Sequence, residues 1–172
     1  CGGMAFAIRP ENVEELTRAA KGALKQTPLM VKLSPNVENI AVNALAAQSG
    51  GADCVSLINT LTGMVVDIER RRPLIANNTG GVSGAGIRPV AVRMTYEVCR
   101  AVSIPVIGMG GITRAEDALE FIIAGASAVQ VGTANFTDTL AMPKIIEGLN
   151  EWMDAHGVKN IEEIRGTLVF NG

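Results

Sequence analysis

The chain has 172 residues, long enough for one domain with a sizeable core, and its residues are 48% hydrophobic but only 3% aromatic. Its net charge is −2, from 15 Lys and Arg against 17 Asp and Glu. No basic stripe interleaves with aromatics, which argues against a nucleic-acid partner, and no apolar run approaches the roughly 20 residues that span a bilayer. The layout of the first residues is not that of a signal peptide. The three cysteines, Cys1, Cys54 and Cys99, form no CxxC spacing, so reduced thiols and a cytoplasmic location are expected. Cys54 and Cys99 read as small buried hydrophobes.

The chain starts at Cys1 and runs straight into Gly2-Gly3-Met4-Ala5-Phe6, which reads as the interior of a domain. Glu11 to Gln26 places Val13, Leu16, Ala20 and Leu24 at helical spacing, with Pro10 beside the start. Leu29 to Leu33 reads as a strand ended by Ser34-Pro35. A helix follows from about Val37 to Gln48, closed by Gly50-Gly51, and then a strand from Asp53 to Asn59.

The connection from Thr60 to Ile87 is long for an α/β unit, rich in glycine, and carries Arg70-Arg71-Arg72. Its length suggests a functional or mobile segment, and the arginines, close to Asp67 and Glu69, read as a solvated face first and a partner surface second. A helix is predicted over Pro89 to Val102 and a strand over Ile104 to Met109. Thr113-Arg114-Ala115-Glu116 matches a capping box that opens the next helix. Ala128 to Val131 is the last strand. Pro143, Ile145, Ile146, Leu149, Trp152 and Met153 mark a closing helix, with one further turn over Ile161 to Ile164; His156 reads as a surface residue.

Regular alternation of helix and strand implies parallel strands joined by right-handed crossovers. Four predicted strands are half the number in a (β/α)₈ barrel, whose usual length is roughly 250 residues. A small doubly wound sheet is the alternative, but its ligand would sit near the first βα turn. Here the glycine signals concentrate after the last two strands, at Gly110-Gly111 and at Gly132-Thr133. Phosphate sites of such barrels lie after strands 7 and 8, where glycine permits close backbone approach and helix N-termini supply N–H donors. Each turn alone is also compatible with simple chain reversal.

Lys32 alternates with apolar neighbours, so Leu29, Val31 and Leu33 face one side of the strand and Met30, Lys32 and Ser34 the other. Inside a barrel the lysine needs a partner, and a negatively charged cofactor such as a reduced flavin would supply one. A lysine snorkelling from an edge strand is the other reading. Asn59 and Thr60 end the following strand with hydrogen-bonding groups at the mouth where barrel chemistry occurs. Gly80-Gly81-Val82-Ser83-Gly84 is a further glycine cluster, suited either to curl over a phosphate or to leave a loop flexible.

These stretches resemble the class 1 dihydroorotate dehydrogenases, and class 1B most. The resemblance is carried by Gly2 to Phe6, Val31-Lys32-Leu33-Ser34-Pro35-Asn36, Ile58-Asn59-Thr60, Ala76 to Gly84, Gly108-Met109-Gly110-Gly111, and Gly125 to Phe136, in family order through most of the chain. It implies that residues 1–172 form a single FMN- and phosphate-binding half-barrel, strands 5 to 8 of a (β/α)₈ barrel. FMN contacts are implied at Lys32, Ile58, Gly84, Gly110, Gly111, Gly132 and Thr133, and contacts to dihydroorotate or orotate at Asn59 and Thr60.

In that family FMN takes hydride from C6 of dihydroorotate while a cysteine base removes a C5 proton. The resemblance places that base upstream of Cys1, so no catalytic residue is assigned here and the isolated chain is expected to be inactive. Class 1B enzymes pass electrons to NAD through a partner subunit carrying FAD and an iron–sulfur cluster, for which this chain shows no clustered cysteines. A phosphosugar isomerase or lyase on a similar barrel, a non-catalytic half-barrel, and a relative of dihydropyrimidine dehydrogenase are the competing readings. Half a barrel leaves two strand edges unpaired, so a homo-oligomer is expected.

Overall fold

The computed structural model describes residues 8–171, so the Gly2–Phe6 motif and Cys1 lie outside the described residues. Helix α1 (Pro10–Ala23) starts on Pro10, whose fixed φ suits a first helical turn. It buries Val13 as expected, but its second buried residue is Thr17, while Leu16 and Ala20 are exposed. The reason is close approach: a Cβ on Gly50 would lie 2.6 Å from Thr17 Cβ, so the bare glycine backbone admits the threonine. Strand β1 (Met30–Lys32) follows, then α2 (Ile40–Ser49), whose first turn is capped by Asn39 accepting from the Ala41 amide at 3.0 Å. Strand β2 (Cys54–Leu57) comes next.

The long connection after β2 is folded rather than loose. It forms two antiparallel ribbons, one nested in the other: β3 (Leu61–Gly63) pairs with β6 (Gly80–Val82), and inside them β4 (Val66–Asp67) pairs with β5 (Arg72–Pro73). Asp67 accepts from the Glu69 and Arg70 amides at the tip, so its carboxylate builds the turn that displays the arginines. One 3₁₀ turn (Ala85–Ile87) then leads into α3 (Arg88–Ala101).

The remainder is β7 (Val106–Met109), α4 (Ala115–Ile123), β8 (Ala128–Gln130), a short α5 (Ala134–Thr137) and α6 (Ala141–His156), followed by the expected extra turn at Ile161–Glu163. The strands are one to three residues shorter than the apolar runs that predict them. His156 is exposed, stacked on Trp152. Among the described residues no helix is long and apolar enough to cross a membrane.

The main sheet has the order β1-β2-β7-β8, every pair parallel. Setting the ribbons aside, spatial order follows chain order without reversal. The helices form one row, α1 on α2, α2 on α3, α3 on α4 and α4 on α6. A doubly wound sheet reverses strand order and carries helices on both faces; a barrel wall does neither.

The register decides what faces where. Val31, Val55, Val106 and their row-mates point to the helices, with Leu57 and Val55 fully buried. Phe121 of α4 is also fully buried, lying where a Cβ on Gly108 would come 2.5 Å from its ring. Burying such a ring stabilises by about 1.5–3 kcal/mol. The opposite, concave face carries the row Lys32, Ser56, Ile107 and Ala128.

Candidate functional site

The C-terminal tips of all four main strands lie at one end of the sheet, and the expected site residues gather there in two groups. The first group surrounds the turn after β7. Gly110 and Gly111 have φ of +131° and +77°, conformations that L side chains rarely adopt. A Cβ on Gly110 would meet Ala91 at 2.8 Å and Ile58 Cγ1 at 3.3 Å. A Cβ on Gly111 would lie 2.8 Å from the Gly84 carbonyl oxygen and 3.0 Å from the Arg88 amide nitrogen. Ile58, Gly84, Gly110 and Gly111, scattered over more than fifty positions of sequence, are therefore brought together, the Ile58 side chain against Gly110 and the Gly84 carbonyl against Gly111. The Ile58 amide donates to Met109 O at 2.9 Å and so holds the β2 tip beside the β7 tip.

Gly132 and Thr133 leave the neighbouring strand β8, whose Gln130 is in register with Met109. A Cβ on Gly132 would meet nothing within 4 Å, so no described neighbour demands glycine there. The amides of Gly110, Gly111, Gly132 and Thr133 donate to no acceptor among the described residues. Four unpartnered donors at two adjacent strand tips form a surface on which an anion's oxygens can accept.

One expected source of donors is corrected. The capping residue of α4 is Asp117, not Glu116, and it takes up the amides of Thr113 and Arg114, directly before the helix. Its Oδ2 accepts from Thr113 N at 2.8 Å, Thr113 Oγ1 at 2.7 Å and Arg114 N at 3.2 Å. Its Oδ1 accepts from Arg88 Nη1 at 2.5 Å. Asp117 is only 1% exposed. Burial works to raise its carboxyl pKa, but the hydrogen bonds from Thr113 and the Arg88 charge outweigh burial and hold it below the usual value.

The second group lies at the tips of β1 and β2. The Asn59 amide donates to Leu33 O at 3.1 Å, tying the two strand exits together. Thr60 lies under the outer ribbon, where a Cβ on Gly81 would overlap Thr60 Oγ1. Asn36 holds this segment from both sides, Nδ2 donating to Thr60 O at 3.0 Å and Oδ1 accepting from Thr62 N at 2.9 Å. Sequence reasoning noted Asn36 only as part of a matching stretch. A planar amide three residues beyond the predicted strand end at Leu33, directly after Ser34 and Pro35, was the available signal.

Lys32 sits on the concave face as its alternation predicts, but it is exposed, and the expectation of a buried ammonium is not met. The cause is geometric: the concave face of an open four-strand arc has no opposite wall to cover it. Lys32 lies one side-chain layer below the tips, and the row from β1 to β8 spans three strand spacings, roughly 14 Å. A cation at one end and unpartnered amides at the other suit an extended ligand with a ring and a phosphate. The donor set at the β7 and β8 tips and the glycine cradle beneath it fit the phosphate of FMN on these grounds.

Fold and site together define the class, one half of a (β/α)₈ barrel wall with anion-competent turns at the tips of its last two strands. A family model described as Dihydroorotate dehydrogenase matches residues 1–153, and the chain belongs to that family. The chain is 53% identical over 167 residues to the protein named dihydroorotate dehydrogenase B (NAD(+)), catalytic subunit, of Bacteroides fragilis, covering 97% of this chain and 55% of that relative. It is 54% identical over the same length to the protein of that name from Alkaliphilus metalliredigens, again 97% of this chain and 55% of the relative. The chain thus spans about half the length of the curated relatives it matches. In three dimensions it is similar to the Eimeria tenella dihydroorotate dehydrogenase crystallised with ferulenol, with a TM-score of 0.76 and 22% identity, over 92% of this chain and 48% of that one.

Proposed function

We propose that this chain is the FMN-holding half, strands 5 to 8, of a dihydroorotate dehydrogenase catalytic subunit of the NAD-linked B type. The observation that carries the proposal is the set of unpartnered amides at Gly110, Gly111, Gly132 and Thr133, on a glycine cradle too tight for side chains at its centre. In this reading those amides donate to the FMN phosphate, Gly84 closes the cradle from the ribbon side, and Ile58 supports the flavin ring. Lys32 supplies positive charge beside the ring. Asn59 and Thr60, fixed by the Asn36 clamp, orient dihydroorotate against it.

FMN, when bound, accepts the hydride that leaves the dihydroorotate ring as orotate forms, the step that serves pyrimidine synthesis. The chain's own residues bind and orient; in this reading none of them is the proton-abstracting cysteine. The Bacteroides relative is named as a catalytic subunit acting with NAD(+), and a partner subunit with FAD and an iron–sulfur cluster would carry electrons onward. The reading includes a cytoplasmic location. It also includes self-association through the open edges of β1 and β8, to be checked by light scattering, with a clean monomer at micromolar concentration counting against it.

The decisive experiment is titration of the chain with FMN, followed by the flavin absorbance near about 450 nm and by fluorescence. Saturable binding, together with no dihydroorotate oxidation by the chain alone, is the expected result. Absence of saturable binding would remove the proposal. Turnover without added protein would remove its account of the missing base.

A further inference from the structure

Arg88 is the first residue of α3, a place where its charge opposes the helix dipole, and the first turn of that helix contains no acid to offset it. A residue that violates a local rule needs another reason to be there. Its guanidinium is held across the fold by α4: Nη1 donates to Asp117 Oδ1 at 2.5 Å and Nε donates to Glu120 Oε2 at 3.1 Å. The same Asp117 carboxylate gathers the amides of Thr113 and Arg114, the residues that follow the Gly110-Gly111 turn almost directly. Behind that turn stand Arg88 itself and the Gly84 carbonyl, with a Gly111 Cβ position 2.9 Å from Arg88 Cβ and 2.8 Å from Gly84 O. One ion pair therefore holds both ends of the cradle: Asp117 grips its exit and Arg88 forms its back wall.

We propose that Arg88 and Asp117 are a positioning pair that sets the Gly84 and Gly110-Gly111 backbone for a phosphate, without touching the phosphate themselves. The inference rests on the phosphate reading above and names what enforces it. Arg88 is suited to this task where lysine is not, because the planar fork bonds two carboxylates at once and a lysine offers a single point charge. The buried carboxylate contributes orientation, since its oxygens are already spent on the loop and on Arg88.

The test compares FMN with riboflavin, which lacks the phosphate, by flavin fluorescence on the 172-residue chain, with melting temperature followed in parallel. Wild type should prefer FMN. Arg88→Lys should reduce that preference roughly tenfold, the scale at which loss of an outer supporting partner is felt in other sites. Riboflavin affinity should stay unchanged. Glu120→Gln, which leaves the Arg88–Asp117 bond in place, should keep the preference. Should Asp117→Asn fail to fold, Arg88→Lys and Arg88→Gln carry the test.

A variant that loses both ligands equally would show a merely structural role and overturn the inference, as would a variant that keeps the full preference. A shallower salt dependence of the preference in Arg88→Lys would point to direct phosphate contact and overturn the positioning role. Wild type with no preference for FMN would instead sink the phosphate reading, and this inference with it.

Discussion

Gly110 and Gly132 are both glycines at strand tips in the candidate phosphate site, yet the structure predicts opposite consequences for changing them to alanine. At Gly110 the backbone has φ of +131°, and the new Cβ would come 2.8 Å from Ala91 Cβ. Left-handed strain costs about 1–2 kcal/mol and overpacking about 1–3 kcal/mol, so a loss of about 3 kcal/mol is expected for Gly110→Ala. For a domain of this size that lowers the melting temperature by roughly 6–12 °C. At Gly132 the new methyl meets nothing within 4 Å, and no left-handed φ is involved. Stability should then stay within about 0.5 kcal/mol of wild type.

The methyl at Gly132 would nonetheless stand where a phosphate approaches the free amides, and FMN affinity should fall by about tenfold, or about 1.4 kcal/mol. Circular-dichroism melts and flavin titrations against riboflavin read the two effects separately. If Gly132→Ala binds FMN as tightly as wild type, the β8 tip does not touch the phosphate. If Gly110→Ala melts with wild type, the crowding argument fails.

Three further outcomes follow from the same geometry. Because the folded pKa of Asp117 is depressed, its contribution to stability is present above the usual carboxylate pKa and lost as pH falls below about 4. Asp117→Asn should therefore cost about 3 kcal/mol at pH 7 and progressively less as pH falls below about 4, measured by urea unfolding; a cost that does not decline with acid contradicts the ion-pair account. Phe121→Ala should cost about 3–5 kcal/mol, because the ring is fully buried over Gly108 and its cavity has little means to collapse; a loss under about 1 kcal/mol in denaturant titration would refute the packing. Burial pushes the Cys99 thiol up to about 11 despite the nearby Arg165, so iodoacetamide at pH 8 should leave it unmodified until the chain unfolds, as peptide mass spectrometry would show.

Much of this architecture is legible in the sequence because burial in a parallel sheet writes itself as short apolar runs between amphipathic helices. Val55, Leu57 and Val106 carry that signal without ambiguity. The glycine turns were legible as well, since positive φ and close approach restrict Gly110 and Gly111 chemically. What escaped were contacts made by long-range geometry. Thr17, not Leu16, faces the core because of a glycine thirty-three positions later. Asp117 replaces Glu116 in the capping box because α4 begins at Ala115 with Arg114 as its N-cap, one residue later than a box opening on Thr113 would place it. The ribbons between Thr60 and Ile87 escaped too, since two- and three-residue strands are too short to show alternation.

The two ends of the candidate site depend on closure of the barrel to different degrees, and this orders what the chain does alone. The amides at Gly110, Gly111, Gly132 and Thr133 are placed by neighbouring strands and by α3 and α4, all within this chain. Lys32 has only the open concave face around it. In water its charge is screened and acts weakly on a ring; under a second wall the same charge would act several times more strongly. On the proposed reading, phosphate recognition would reside in this chain, whereas control of the ring's electron affinity would belong to the closed barrel. Lys32→Met should accordingly change FMN affinity little in the isolated chain, yet lower the flavin's reduction potential in a closed barrel. A substantial loss of FMN binding by the isolated Lys32→Met chain would show that the cation already grips the ligand and that this division of labour is wrong.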